Sequence, residues 1–583
     1  MSAESIGAGL LPPAIMQVAE RIVRRCGEHA GQDGPALATA CALALHQFSQ
    51  GHTRIDLSGD GRVLLVPREP RDGTDRIEVP VPATIREVVL RAVARGSALV
   101  ARMEMSDGAS AATPMVLEGE CLSLARCRDD ECALAQLLQQ RAQAWPDAAA
   151  RRGIVDALIS SWGAALDDAQ RRAVLCSAAS GLAIVTGGPG TGKTTVAARI
   201  AAAHVHLLAM RGAQASLKLL APTGKAASRL SESFAAAASA LPEPHGAALR
   251  GCLATTVHAS LLGREREGLA RMTMAIVDEA SMVDLSLMRR LVDSVPPGAS
   301  LVVLGDRDQL ASVEAGTVLA DMTEPGSAIA GSVMRLERSH RFGGESPIGL
   351  LARAVLEGDA DRALHLLGAG APAFAATGAR APVDGSHPVA SGVRLVDCRS
   401  ERETIRAAID IFREGWGTAI LCAHRHGGTG TLEINRLCAE TSGARLSDPL
   451  SAVHWEGRPI IVTENDRALG LMNGDVGIVR AGPDGRLEAR FAGRESGVPA
   501  PILPATESAY ALTIHKSQGS EFDHVAIVLP VAPSPILSRE LIFTAITRAR
   551  RSVTVIGTPD RVREAIGRRV ARASGLSDRL RIG

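Results

Sequence analysis

The residues Gly187, Gly188, Pro189, Gly190, Thr191, Gly192, Lys193, Thr194 and Thr195 place glycines, one ammonium and hydroxyls at the spacing that cradles a nucleoside triphosphate. Glycines let backbone N–H groups converge on phosphate oxygens at a helix N-terminus, where the dipole favours negative charge. In this pattern Lys193 reaches the β- and γ-phosphates and Thr194 ligates Mg²⁺. The loop follows the apolar run Leu182 to Thr186 and opens a helical run, Thr194 to His204, which is the setting the pattern requires. Lysine usage points the same way. Among 64 basic residues only Lys193, Lys218, Lys225 and Lys516 are lysine. Three of these four fall in short Gly-rich or polar motifs, where a compact ammonium does what a planar guanidinium cannot.

The acids that complete such a site follow. Ala275-Ile276-Val277-Asp278-Glu279 is an apolar strand ending in two carboxylates. Asp278 is the candidate Mg²⁺ ligand beside Thr194, and Glu279 the group that orients and deprotonates the attacking water. Gly305-Asp306-Arg307-Asp308-Gln309 closes the next apolar run, which puts Gln309 within reach of the γ-phosphate or that water. Arg341 and Arg548 are candidates to stabilise charge on the transferring phosphoryl group from an opposing domain.

Positioning these groups takes a particular scaffold. Apolar runs at Leu182 to Thr186, Leu217 to Ala221, Met274 to Val277 and Leu301 to Leu304 alternate with helical stretches, the pattern of a parallel sheet wrapped in helices. After an Ala/Gly/Pro-rich linker, about Gly368 to Gly392, the alternation resumes at Val393 to Val396, Ala419 to Cys422, Val525 to Leu529 and Val553 to Ile556. Short β-like runs between residues 445 and 505 are punctuated by Asn473-Gly474-Asp475 and Pro483-Asp484-Gly485 turns, indicating a small inserted β-barrel. The first 150 residues mix helical and strand-like runs without a chemical motif.

A net charge of +1 excludes a polybasic protein, so any nucleic acid is met by a local groove. Aromatic residues make up 2% of the chain, so base-stacking platforms are few and backbone contacts must dominate. Ten cysteines lack paired metal-ligand spacing and read as reduced thiols. The apolar run Pro35 to Leu45 is too short to span a bilayer, and no secretory signal opens the chain, so a cytoplasmic protein without a membrane partner is expected.

The order of these motifs resembles that of superfamily 1 helicases, and among them the RecD-type 5′-to-3′ DNA helicases, over about residues 160–560. Leu166-Asp167-Asp168-Ala169-Gln170 is similar to the adenine-reading segment, with Gln170 as the base contact. Ala221-Pro222-Thr223-Gly224-Lys225 resembles motif Ia, and Thr255-Thr256-Val257-His258 the segment after it. Leu512-Thr513-Ile514-His515-Lys516-Ser517-Gln518-Gly519 resembles motif V, and Phe543 to Ala549 motif VI. The resemblance implies ATP and Mg²⁺ as cofactors and single-stranded DNA contacts by Thr223, Lys225, His258, Thr513, His515, Lys516 and Ser517. Phe342, His258 and His515 are candidates to lie against bases.

What the resemblance implies for the architecture is an α/β chain with two RecA-like parallel-sheet P-loop domains, an inserted small SH3-like β-barrel and a mixed α/β N-terminal domain. The expected boundaries are 1–150 for an N-terminal docking domain, 151–345 for the first RecA-like domain, 346–444 with 506–583 for the second, and 445–505 for the insert. Residues around Gln50-Gly51-His52 and Leu122 to Arg126 are similar to the N-terminal domain of the RecD subunit of RecBCD, the exonuclease V complex. This implies a subunit acting in double-strand break repair and recombination, with RecB-like and RecC-like protein partners and single-stranded and duplex-end DNA as substrate. Two other readings stand beside it: a stand-alone or plasmid-transfer-type helicase, and a P-loop remodelling ATPase that does not track DNA. Only 19 residues separate His258 from Asp278, little room for a strand-splitting hairpin, and no acid cluster beyond the Mg²⁺ site suggests a nuclease centre.

Overall fold

The computed structural model describes Ile6 and residues 10–59, 61–65, 77–105, 107–108, 112–163, 166–262, 268–312, 314–341, 346–369, 392–414, 418–441, 454–466, 468–482, 484–491, 494, 496–570 and 572–581. The Ala/Gly/Pro-rich linker and Phe342 lie outside these residues, the linker save for its ends.

Two all-parallel sheets carry the molecule. In the first, the spatial order of strands is Val333–Leu336, Leu182–Gly187, Ser300–Gly305, Met274–Val277, Leu217–Ala221, Ala254–Thr256. Strands buried on both faces read as near-continuous apolar runs; Leu182–Gly187 and Ser300–Gly305 are buried along their whole length and apolar but for Thr186 and Ser300. One face packs against the Ala-rich P-loop helix Lys193–Ala209, and the other against Leu134, Leu138, Leu287 and Met288. The second sheet runs Gly392–Val396, Ala549–Ile556, Phe522–Val528, Thr418–Cys422, Ala511–Thr513, again parallel throughout. Both sheets therefore present their loops at carboxyl-terminal edges, where α/β folds bind ligands.

The insert is a five-stranded antiparallel sheet with its own core of Ile460, Val462, Val479 and Phe491. Its outer strand Thr506–Ser508 lies just past the expected boundary at 505. The N-terminal unit sets helices Gly34–Ser49 and Ala83–Ala94 on a four-stranded mixed sheet around Leu37, Leu43, Ile85 and Leu117.

The chain's last turn departs from expectation. Residues 572–581 were expected with the second lobe, yet Leu576 and Leu580 are buried in the core of the first, beside Leu134 and Leu138. Polar bonds reinforce this return. Arg572 Nη1 donates to the carbonyls of Ser312 (2.8 Å) and Glu314 (3.0 Å), Gly575 N donates to Glu131 (2.8 Å), and Arg579 pairs with Glu118 (2.6 Å). An Arg-rich tail reads locally as a solvated face; here the buried Glu131 and the half-buried Glu118 and Asp321 draw it inward. No helix among the described residues is long and apolar enough to cross a membrane.

Candidate nucleotide and nucleic-acid site

The P-loop turns on Gly190 (φ 75°) and Gly192 (φ 86°), left-handed conformations that glycine adopts freely. Gly192 caps the helix that starts at Lys193, so the first amides of that helix face the loop. Lys193 Nζ donates to the carbonyls of Gly187 (2.6 Å) and Gly188 (3.1 Å). An ammonium held only by carbonyls of its own loop exchanges readily for phosphate oxygens.

Two carboxyls, the half-buried Asp278 and the buried Asp306, face this ammonium from the ends of neighbouring strands. Burial, with help from Glu279, raises the Asp278 pKa to about 6 against the pull of Lys193. Asp306 is raised to about 6 by burial, again opposed by Lys193. Asp278 accepts a hydrogen bond from the Glu279 amide (2.8 Å), and Asp306 accepts from Gln309 Nε2 (3.0 Å). The hard oxygen donors of Thr194 and Asp278 suit Mg²⁺, which takes one or two protein oxygens beside phosphate and water. Glu279 is the only non-glycine among the described residues with left-handed backbone, at φ 52°. Strain of that kind gathers at functional sites.

Gln170 is 5% exposed and bonded already. With Asp167 it forms a reciprocal capping box, and its Nε2 donates to Thr191 O (3.2 Å), so the segment Leu166 to Gln170 is clamped to the P-loop.

The two arginines arrive by different routes. Arg341 was expected from the opposing domain; instead its segment is stapled to the P-loop of its own side. His340 N donates to Gly190 O (2.8 Å) and Ser339 Oγ to Pro189 O (3.0 Å). The reason is steric: Gly190 has no Cβ, and one built there would stand 2.2 Å from Arg341 Cβ. Arg548 does come from the second lobe. It is 3% exposed, its Nε donates to Thr544 O (3.1 Å), and the Glu279 carboxylate is the first of the charges that offset its burial.

Glu521 joins the lobes. It pairs with Arg341 (2.5 Å) and Arg229 (2.8 Å) on one side and Arg550 (3.0 Å) on the other. Burial pushes its carboxyl up, but Arg229 and Arg341 prevail and hold its pKa near 2. Leu310 N donates to Thr544 Oγ1 (2.9 Å) and Gln518 Nε2 to Leu310 O (2.9 Å), so the segment after Gln309 touches motifs V and VI directly.

The DNA candidates line the same edges. Thr223 caps the helix Gly224–Ser239, and His258 is exposed just past the adjacent strand end. Thr513 ends the outer strand of the second sheet, and its Oγ1 accepts from Lys516 N (3.2 Å). His515 is half-buried, and burial lowers its pKa. Lys516 is exposed and paired with Glu507 (2.8 Å). Two candidates depart from expectation. Ser517 is wholly buried and donates to Ile514 O (2.7 Å), so it shapes the turn and offers no free hydroxyl. Lys225 is half-buried against the insert and donates to Gly474 O (3.2 Å), so it ties the first lobe to the Asn473-Gly474-Asp475 turn. Sequence reasoning passed over Asp306, Arg229 and Glu521. Asp306 had a signal, as an acid ending the strand next to the P-loop; Arg229 had none in a chain this rich in arginine.

Fold and cleft together define a two-lobed P-loop ATPase of the superfamily 1 helicase type. Three family models match: an AAA domain over residues 165–371, a UvrD-like helicase C-terminal domain over 508–556, and the N-terminal domain of the RecBCD enzyme subunit RecD over 8–123. The RecBCD enzyme subunit RecD of Mycobacterium tuberculosis is 36% identical over 98% of this chain and 95% of its own length. The chain belongs to the RecD family. The ATP-dependent RecD2 DNA helicase of Deinococcus radiodurans is 31% identical over 69% of this chain but 50% of its own. Among solved structures, Bacteroides Pif1 bound to ssDNA is 19% identical, covering 67% of this chain and 92% of that one, with a TM-score of 0.38.

Proposed function

We propose that the chain is an ATP-dependent 5′-to-3′ single-stranded DNA translocase and helicase, working as the RecD subunit of a RecBCD-type complex in double-strand break repair and homologous recombination. The observation that carries the reading is the full-length match to a RecD subunit on a chain whose P-loop, acids and second-lobe arginine meet in one cleft.

In this reading the P-loop amides and Lys193 bind the triphosphate, and Thr194 with Asp278 hold Mg²⁺, which supplies charge neutralisation on the β- and γ-oxygens when bound. Glu279 orients the attacking water and takes its proton. Gln309, bonded to Asp306 and next to the segment that touches Thr544, relays the state of the γ-phosphate to the second lobe. Arg341 and Arg548 offset charge in the transition state. Closing and reopening of the lobes moves Thr223, His258, Thr513 and Lys516 relative to one another along the strand. Lys225 and Ser517 position these contacts from within.

RecB-like and RecC-like subunits are the proposed partners, single-stranded and duplex-end DNA the substrate, and the cytoplasm the compartment. DNA cutting belongs to another chain of the complex. The match to a RecD subunit over 98% of this chain and 95% of that subunit supports the subunit reading over the stand-alone one. ATPase measured with and without oligo-dT tests the motor, with strong stimulation expected. Co-purification with the two larger subunits tests the assembly.

A further inference from the structure

A cavity of about 350 Å³ opens where the second lobe meets the inserted sheet. Its wall holds Arg425, Arg436, Arg458 and Lys516 against one acid, Glu507. Three of these cations are already paired. Arg436 is held by Glu433 (2.6 Å) and Glu440 (2.5 Å), while Arg425 (3.2 Å) and Lys516 (2.8 Å) share Glu507. Arg458 is different. It is 8% exposed, its Nε donates to Ser508 Oγ (3.1 Å), and its guanidinium lies 4.8 Å from the centre of the Trp455 ring. No carboxylate among the described residues pairs with it. Burial lowers its pKa, yet a guanidinium stays protonated, so the charge stands buried without a counter-ion. Such a charge is costly unless an anion arrives, and a guanidinium fork matches phosphate oxygens.

We propose that this cavity seats a phosphodiester group of the DNA strand on Arg458, making the inserted sheet a third grip on the track. The inference rests on the strand-tracking reading above. Three observations favour a strand over a free phosphate. The half-buried Thr513 and the exposed Lys516, the proposed motif V contacts, form part of the same wall, so the cavity continues their path. Its volume far exceeds a phosphate ion and leaves room for sugar and base beside Trp455, one of the few aromatic rings in the chain. Its position is mechanical: Arg458 immediately precedes the strand Pro459–Val462 and Ser508 ends the strand Thr506–Ser508, the entry and exit of the insert. A phosphate on Arg458 therefore pins both crossings to the second lobe.

The test is oligo-dT affinity as a function of salt for the full chain, its Arg458→Gln variant and its Arg458→Lys variant. Each phosphate contact on single strands contributes about 0.7 to the slope of log affinity against log salt, so Arg458→Gln lowers the slope by about 0.7 and weakens binding about tenfold. Arg458→Lys keeps the charge, loses the fork and falls between. The KM for ATP stays unchanged in both. An oligonucleotide carrying 4-thiothymidine, photo-crosslinked to the unaltered chain, labels the peptide containing Trp455 and Arg458, a readout independent of variant folding. An unchanged slope, or crosslinks that never reach residues 454–461, overturns the proposal. Thermal stabilisation by inorganic phosphate that depends on Arg458, with an unchanged strand slope, assigns a free-phosphate site and also overturns it. If the unaltered chain binds no oligonucleotide, the strand-tracking reading fails first, and the two failures are distinguishable.

Discussion

Gly190→Ala separates the two demands made on the P-loop. The backbone there has φ 75°, and an added Cβ would stand 2.2 Å from Arg341 Cβ, 3.1 Å from Arg341 N and 3.2 Å from Arg341 Cα. Carbon atoms pack comfortably at about 3.5 Å or more, so the Arg341 backbone must retreat by more than about 1 Å. It cannot slide freely, because His340 N and Ser339 Oγ are bonded to the same loop. Misplacement of a catalytic group by about 1 Å costs about 100-fold in rate, while the left-handed conformation alone costs about 1–2 kcal/mol of stability. Gly212→Ala is the control: φ is 67° there and no atom lies within 4 Å, so the strain is similar and the collision absent. DNA-stimulated ATPase, ADP affinity and thermal unfolding are measured on both. The expected result is similar destabilisation, a kcat about 100-fold lower only in Gly190→Ala, and ADP affinity changed far less than kcat. A kcat for Gly190→Ala equal to that of Gly212→Ala would refute the placement of Arg341.

Glu521→Gln removes the one carboxylate that Arg229, Arg341 and Arg550 share across the lobes; the KM for ATP rises about tenfold, read by steady-state ATPase, and an unchanged KM argues against coupling through this residue. Arg579→Ala takes from the buried Glu131 the guanidinium 3.6 Å away and leaves Glu118 to Arg128 alone (3.3 Å); it destabilises the chain by about 3–5 kcal/mol, visible by calorimetry as earlier melting of the N-terminal unit. Asp321 is bonded to Ser574 (2.8 Å) and Thr317 (3.0 Å), and burial raises its pKa to about 7. The folded chain keeps that proton where the unfolded chain has lost it, so this residue makes stability fall as pH rises from about 4 to about 7. Asp321→Asn flattens that fall; unfolding midpoints with an unchanged pH profile would exclude the residue as its source.

The nucleotide cleft was legible because its chemistry is local. A glycine loop, a strand ending in acids and an amide after the next strand each announce themselves within a few residues, and the parallel order of strands follows from near-continuous apolar runs. What escaped reading depends on distant partners. The three-residue edge strands Ala254–Thr256 and Ala511–Thr513 are too short to carry a pattern. Ser517 and Lys225 look like open polar groups until the folded turn and the Gly474 carbonyl enclose them. The left-handed Glu279 has no sequence mark, since the conformation is imposed by the strand end and its surroundings. Arg229 and Arg458 are two arginines in a chain with dozens, and only the folded arrangement distinguishes the one that shares Glu521 from the one left without an acid.

In the proposed function, nucleotide-driven movement of the two lobes carries the chain along a DNA strand in one direction. It is tested most directly by ATP-dependent displacement of streptavidin from oligonucleotides biotinylated at one end or the other. Displacement is expected from the 3′ end, with little from the 5′ end and none with Lys193→Gln. Equal displacement from both ends, or none from either while DNA still stimulates ATP hydrolysis, would contradict it.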